Sequence, residues 1–211
     1  MMIVVGGHSR NLGKTSLVAG LIRKFRSCQW TAVKITQYGH SICSDHGDTC
    51  ACKTEADEPY SLSEEFEPSS TDSGRFLAAG AIRSLWLRTA AGELRLAANI
   101  LRKIVAQSDH LIVESNSVME LLQPDIFMMT IDFSCADFKP SSLRFMGQAD
   151  AFVVIDRGVP IPVSDDLPVE WGNKPHFVTR PPRYVTPAVA GFVGAKLTGP
   201  TVVDRFRTLV R

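Results

Sequence analysis

Short apolar runs alternate with amphipathic stretches along much of the chain. Ile3-Val4-Val5 reads as a short buried strand. Lys14 to Phe25 then sets Leu17, Leu21, Ile22 and Phe25 at helical spacing. Thr31 to Thr36 reads as a second strand. From Gln37 to Thr71 the period is lost among polar residues, glycine, proline and acidic clusters, which predicts a long insert over 37–71. Periodicity returns with a helix over Gly74–Arg83 and a short strand over Ser84–Arg88. One helix is expected over Ala91–Gln107, its stripe formed by Leu94, Ala97, Ala98, Leu101, Ile104 and Val105. Strands follow at His110–Glu114, Ile126–Ile131 and Ala151–Ile155, the last two flanking a helix at Ser141–Gln148.

The segment 157–200 is proline-rich, and short strands and loops wrapping the core are expected there. A last helix is expected over Thr201–Leu209. Apolar strands alternating with helices predict an α/β fold of three layers: a mostly parallel sheet with helices on both faces, in one domain spanning 1–211. No internal repeat is visible.

Composition agrees with that picture. The 211 residues are 45% hydrophobic and 21% charged, enough apolar material for a full core. The net charge of +1 offers no footprint for broad nucleic-acid or membrane-surface binding. No apolar run reaches the roughly 18–20 residues that span a bilayer, and the start of the chain lacks the marks of a secretory signal. A cytoplasmic protein is expected, whose five cysteines serve as thiols or metal ligands.

The most specific signal follows the first strand. Gly7-His8-Ser9-Arg10-Asn11-Leu12-Gly13-Lys14-Thr15-Ser16 joins that strand to the first helix, where a phosphate loop belongs. Backbone N–H groups of Gly7, Ser9, Asn11, Leu12, Gly13 and Ser16 would face phosphate oxygens. Lys14 would reach the terminal phosphates and the Thr15 hydroxyl would bind Mg²⁺. The usual motif leaves four residues between its glycines; here there are five, and position 8 is histidine. The alternative is a chance Gly-Lys-Thr at a helix start.

Mg²⁺ needs carboxylates as well, at the carboxyl ends of strands. Glu114 closes an apolar strand, where burial is costly without a partner. Its other reading is a residue capped by the Ser115-Asn116-Ser117 turn.

The longer Gly-x5-Gly-Lys-Thr loop resembles that of dethiobiotin synthetase and the cobyrinate amidases. Val113-Glu114-Ser115 resembles the Val-Glu-Gly of dethiobiotin synthetase and of the molybdopterin-guanine-dinucleotide accessory (MobB-like) family, with serine in place of glycine. Thr71 to Ala81 resembles the MobB-like signature Asp-Thr/Ser-x-Arg-His-x-x-Ala-Gly-Ala, with Phe76 at the histidine. Val33-Lys34 resembles the strand-end lysine of both families, and Gln37-Tyr38-Gly39-His40 falls at the histidine-rich stretch of the MobB-like proteins. The resemblance covers Met1 to about Ser117.

It implies a P-loop NTPase with Mg²⁺ held by Thr15, Asp72 and Glu114. Lys34 becomes a second cation beside Lys14, and Arg75 a ligand of the phosphate or of a substrate anion. Each has a plainer reading: Lys34 as a solvated strand end, Asp72 as a helix N-cap, Arg75 as half of a surface pair. The resemblance also implies a homodimer. A dethiobiotin-synthetase likeness implies ATP-dependent ligation of a small carboxylated acceptor. A MobB likeness implies a GTP-binding accessory in molybdenum-cofactor maturation, acting on a small-molecule or protein partner.

Within the insert, His40, Cys43, His46, Cys50 and Cys52 crowd together. The spacing Cys-x6-Cys-x-Cys matches no standard finger. Cys43, Cys50 and Cys52 with His40 or His46 would make a zinc site, and cysteine alone suits an iron–sulfur cluster. The alternative is a polar loop with incidental thiols. If metal is bound, a second function class opens: a nucleotide-switched metal-binding or regulatory protein. Cys28 reads as a packing residue at a helix end and Cys135 as a loop thiol. The stretch Asp132–Ser141 lies at the ligand edge, where Asp137 and Lys139 could flank a base. It reads equally as a helix N-terminus capped by Ser141. The chain has no Asn-Lys-x-Asp guanine motif.

Overall fold

The structure, a computed structural model, describes residues 1–38, 59–159, 173–198 and 205–206. Its strands are β1 (Met2–Gly7), β2 (Thr31–Tyr38), β3 (Tyr60–Glu65), β4 (Arg83–Ala90), β5 (Leu111–Glu114), β6 (Ile126–Ile131), β7 (Ala151–Ile155) and β8 (His176–Thr179). The α-helices are α1 (Lys14–Lys24), α2 (Asp72–Ala79), α3 (Ala98–Ala106), α4 (Pro140–Met146) and α5 (Pro187–Leu197). The strands form one sheet in the order β3-β4-β2-β5-β1-β6-β7-β8. Every pairing is parallel except β3 with β4.

Buried side chains form two clusters, one on each sheet face. Leu17, Leu21, Phe76, Val189 and Val193 bring α1, α2 and α5 against one face. Leu101, Ile104, Phe145 and Met146 bring α3 and α4 against the other. That is the expected layered α/β arrangement. β1, β5, β6 and β7 are buried throughout, as strands covered on both sides must be. No described helix is long and apolar enough to cross a membrane.

Several elements depart from the sequence pattern. The stretch 37–71 holds the last residues of β2 and the whole of β3, an antiparallel edge strand. The helix expected at Gly74–Arg83 begins at Asp72 and stops at Gly80, whose φ of 105° ends it, so Arg83 opens β4. Ala91–Gln107 is not one helix. β4 runs to Ala90, a turn follows at Gly92, and a 3₁₀ turn over Leu94–Ala97 leads into α3. Within 157–200, β8 adds a parallel strand and α5 a helix, where only wrapping strands and loops are expected. Ser141 is not the cap of α4: Lys139 precedes it, with Pro140 in the first turn. Of the helix expected at 201–209, only 205–206 is described, and Phe206 bridges Leu122 there in extended form.

Candidate functional site

The site sits where β1 and β5 end, beside the middle of β2. In the parallel pairing, Lys34 of β2 stands opposite Glu114 of β5, and Glu114 opposite Val5 of β1. Partners across neighbouring strands lie on the same face about 5 Å apart, so the ammonium and carboxylate meet by register alone. Lys34 Nζ lies 2.5 Å from Glu114 Oε1 and 2.7 Å from Asp72 Oδ2.

Asp72 arrives from the first turn of α2. The N-cap of that helix is Thr71, whose hydroxyl accepts from Gly74 N–H at 3.0 Å, so Asp72 is free to pair. Thr15, in the first turn of α1, donates to Glu114 Oε2 at 2.8 Å. The plainer readings of Lys34, Asp72 and Glu114 therefore do not hold. Lys34 is not solvated, Asp72 is not the cap, and Glu114 is bonded by Thr15 and Lys34.

Electrostatics follow from the packing. Burial opposes the Lys34 charge, but Glu114 and Asp72 outweigh it and hold its pKa above the ordinary lysine value. Burial also opposes the Asp72 charge, and Lys34 prevails, holding the carboxyl below its usual range. Lys14 shifts the other way, because burial outweighs the attraction of Glu114. Its Nζ reaches back along the loop to donate to Ser9 O at 2.7 Å.

The loop backbone is pinned from outside. Gly13 sits at φ 75°, and a Cβ there would lie 2.1 Å from the Tyr184 ring. Gly7 has no room for a side chain either, since its Cβ would meet Thr130 Oγ1 at 2.4 Å. Asn116 clamps Gly7 with two hydrogen bonds of 2.8 Å, accepting from its N–H and donating to its C=O. Leu12 is buried, and the Ser16 hydroxyl accepts from Arg75 Nη2 at 2.9 Å. Arg75 thus faces the start of α1 and lies 3.7 Å from Asp72.

His8 is fully buried. Its Nε2 meets Cys135 O at 3.0 Å, Asp132 N–H donates to Nδ1 at 3.4 Å, and the ring packs on Phe138 at 4.3 Å. A ring that donates at Nε2 and accepts at Nδ1 is neutral. Burial lowers its pKa to match. The His8 carbonyl also accepts from Lys139 N–H at 2.9 Å and Ser142 Oγ at 3.1 Å. The segment expected near a base is thereby fastened to the loop, and Ser9 Oγ donates to Asp137 at 3.4 Å.

Sequence reasoning missed Asn116 and Tyr184 as loop supports. Asn116 had one available signal, a polar residue two positions after a buried strand. Tyr184 had none. The proposed metal ligands His40, Cys43, Cys50 and Cys52 lie outside the described residues. Cys28 packs partly buried against the core, and Cys135 lies in a loop.

No family model matches the chain, and no curated protein matches it. Among solved structures it is similar to HypB from Helicobacter pylori in complex with nickel, with TM-score 0.49 and 14% identity over 96% of this chain and 90% of that one. It is also similar to LpxK from Aquifex aeolicus in complex with ATP, with TM-score 0.45 and 15% identity over 84% of this chain and 53% of that one.

Proposed function

We propose that the loop between β1 and α1 binds a Mg-nucleotide and that the protein hydrolyses or transfers the terminal phosphoryl group of ATP or GTP. One observation carries this reading: α1, α2, β2 and β5 deliver Lys14, Thr15, Asp72, Lys34 and Glu114 to one place beside a glycine-pinned loop. A hydroxyl and two carboxylates are hard oxygen donors, which suit Mg²⁺ rather than zinc. Among the described residues no group of three or more His, Cys, Asp or Glu could hold a metal. That fits an ion whose remaining ligands are phosphate oxygens and water.

Mg²⁺ bound there would neutralise charge on the phosphates. The chain's own residues do the rest. Lys14 exchanges the Ser9 carbonyl for phosphate oxygens. Lys34 brings a second ammonium, held in place by two carboxylates. Arg75 holds an anion at the start of α1. Such a site acts by positioning and charge stabilisation. The likeness of 71–81 and 113–115 to the MobB-like and dethiobiotin-synthetase families favours a role in cofactor biosynthesis, as a homodimer.

Thermal unfolding tests the reading. Mg-ATP or Mg-GTP at about 100 times its dissociation constant stabilises the fold by roughly 2.7 kcal/mol, and Lys14→Ala abolishes the shift. Absence of a shift with either nucleotide overturns it.

A further inference from the structure

His8 stands where the usual phosphate motif has its first glycine, and the loop carries one residue more than that motif. Among the described residues, every hydrogen bond of His8 runs to the stretch 130–142. Its N–H donates to Thr130 O at 3.1 Å, and its carbonyl accepts from Lys139 N–H at 2.9 Å and Ser142 Oγ at 3.1 Å. The buried ring gives Nε2–H to Cys135 O at 3.0 Å, accepts Asp132 N–H at Nδ1 and packs on Phe138. A loop residue bonded wholly to another segment is a clamp. What His8 clamps is the connection from β6 to α4.

That connection walls a cavity. A space of about 160 Å³ opens beyond the ends of β6, β7 and β8, with Asp132, Phe133, Ser134 and Arg157 among its walls. Asp132 is buried and braces the wall. It accepts the N–H and O–H of Ser134 at 2.9 and 2.5 Å, and Nε–H of Arg157 at 2.6 Å. At about 30 Å³ of liquid per water, the space holds roughly five waters, or one small ring system.

The sheet order places this cavity relative to the loop, which rises from β1. The Lys34–Glu114 pair lies on the β5–β2 side, and the cavity on the β6–β7 side. Both lie at the carboxyl edge of the sheet, where such folds bind ligands. A nucleotide whose terminal phosphates face Lys34 and Glu114 turns its other end toward the cavity. We propose that the cavity takes the base of a nucleotide held by the loop, and that His8 is the positioning residue that fixes the distance between the two. The imidazole acts through Asp132 and Cys135, from within the core. This role rests on the nucleotide reading.

Inorganic tripolyphosphate separates the two halves, because it carries phosphates and no nucleoside. Calorimetry with Mg²⁺ compares it with ATP and GTP on the full chain. In wild type at least one nucleotide binds about tenfold or more tighter than tripolyphosphate. His8→Ala removes most of that advantage and leaves tripolyphosphate affinity within about twofold. His8→Gln, whose amide can still donate to Cys135 O, loses less and serves if the alanine variant unfolds. Val178→Trp fills the cavity from β8, away from the clamp, and also removes the advantage. Equal loss of both probes in the His8 variants makes His8 a support of the loop alone and overturns the proposal. So does an advantage that survives either His8→Ala or Val178→Trp, or that is missing in wild type. Wild-type protein that binds neither probe overturns the nucleotide reading and this proposal with it.

Discussion

Thr15 donates its hydroxyl to Glu114 at 2.8 Å, although 99 positions separate them in the chain. The other oxygen of that carboxylate holds Lys34, and Glu114 is only 2% exposed. Glu114 thus ties the first turn of α1 to the middle of β2.

Replacing Glu114 with glutamine leaves an oxygen for Thr15 but offers Lys34 an amide without charge. The fold is expected to survive with a loss of about 1–3 kcal/mol in urea unfolding. Mg²⁺-dependent phosphate release falls by roughly one to two orders of magnitude. Nucleotide stabilisation without Mg²⁺ persists. Unchanged turnover removes Glu114 from the metal's ligands.

Lys34 is the counter-charge for two carboxylates at once. Lys34→Met leaves Asp72 and Glu114 facing each other with no cation between them. A cost on the order of 3 kcal/mol at neutral pH is expected, since breaking a buried pair strands its charge. The pH dependence follows from the shifts. Asp72 is held below its ordinary value, so its contribution is present above about pH 4 and is lost as pH falls further. Lys34 is held above its own, so its contribution is present below about pH 10.5 and is lost as pH rises through the raised value. In the variant Asp72, no longer held down by Lys34, takes up a proton more readily, so the deficit shrinks on acidification. Mg²⁺ alone, without nucleotide, recovers part of the loss. Denaturant titration across pH, with and without Mg²⁺, checks both points. A variant as stable as wild type shows the triad to be energetically idle.

The interior strands were legible because burial on both faces leaves them few polar positions. Ile126–Ile131 and Ala151–Ile155 match β6 and β7 to the residue. β3 escaped because an edge strand need not be apolar: Tyr60 and Leu62 pack on the core while Ser61 and Ser63 alternate with them. Its alternation was present but buried in a polar stretch. Ala91–Gln107 failed for another reason. Leu94, Ala97, Ala98, Leu101 and Ile104 are indeed buried, so the stripe is real, but a 3₁₀ turn carries its first part. α5 did carry a start signal, Thr186 before Pro187, which the surrounding prolines masked.

At the site, the loop was readable from strand, Gly-Lys-Thr and helix. Spacing alone could not bring Lys34, Asp72 and Glu114 together, because strand register and the start of α2 do that. Their grouping came into view through family resemblance. The two loop supports, Asn116 and Tyr184, act on the loop backbone, and a polar residue shortly after a strand is a weak sign of one and no sign of the other.

Gly13 shows how tightly that backbone is held. Its φ of 75° is costly for any residue with a Cβ, and the Tyr184 ring fills the place a Cβ would take. Gly13→Ala is expected to cost about 2–4 kcal/mol, combining backbone strain with overpacking. Adding Tyr184→Ala relieves the clash but not the strain, so the double variant is more stable than the two single losses sum to. Thermal or urea unfolding of all four proteins closes the cycle. Additive losses separate Tyr184 from the loop.

Lys139 offers a test of charge at the loop that needs no turnover. Its backbone N–H is fastened to His8 O at 2.9 Å. Burial first, then repulsion from Lys14 and Arg10, lowers its ammonium from 10.5 to about 8. A folded-state value below the unfolded one means that the folded chain carries fewer protons between about pH 8 and pH 10.5, so stability rises with pH across that window. A polyanion bound at Lys14 opposes the repulsion and raises the Lys139 value again. Nucleotide binding near pH 8.5 is therefore expected to take up about half a proton, and near pH 6.5 almost none. Calorimetry in two buffers of different ionisation enthalpy measures the uptake directly. Lys139→Met removes most of it and flattens the stability slope above about pH 8. Equal uptake in the variant and wild type would place Lys139 outside the field of the bound phosphates.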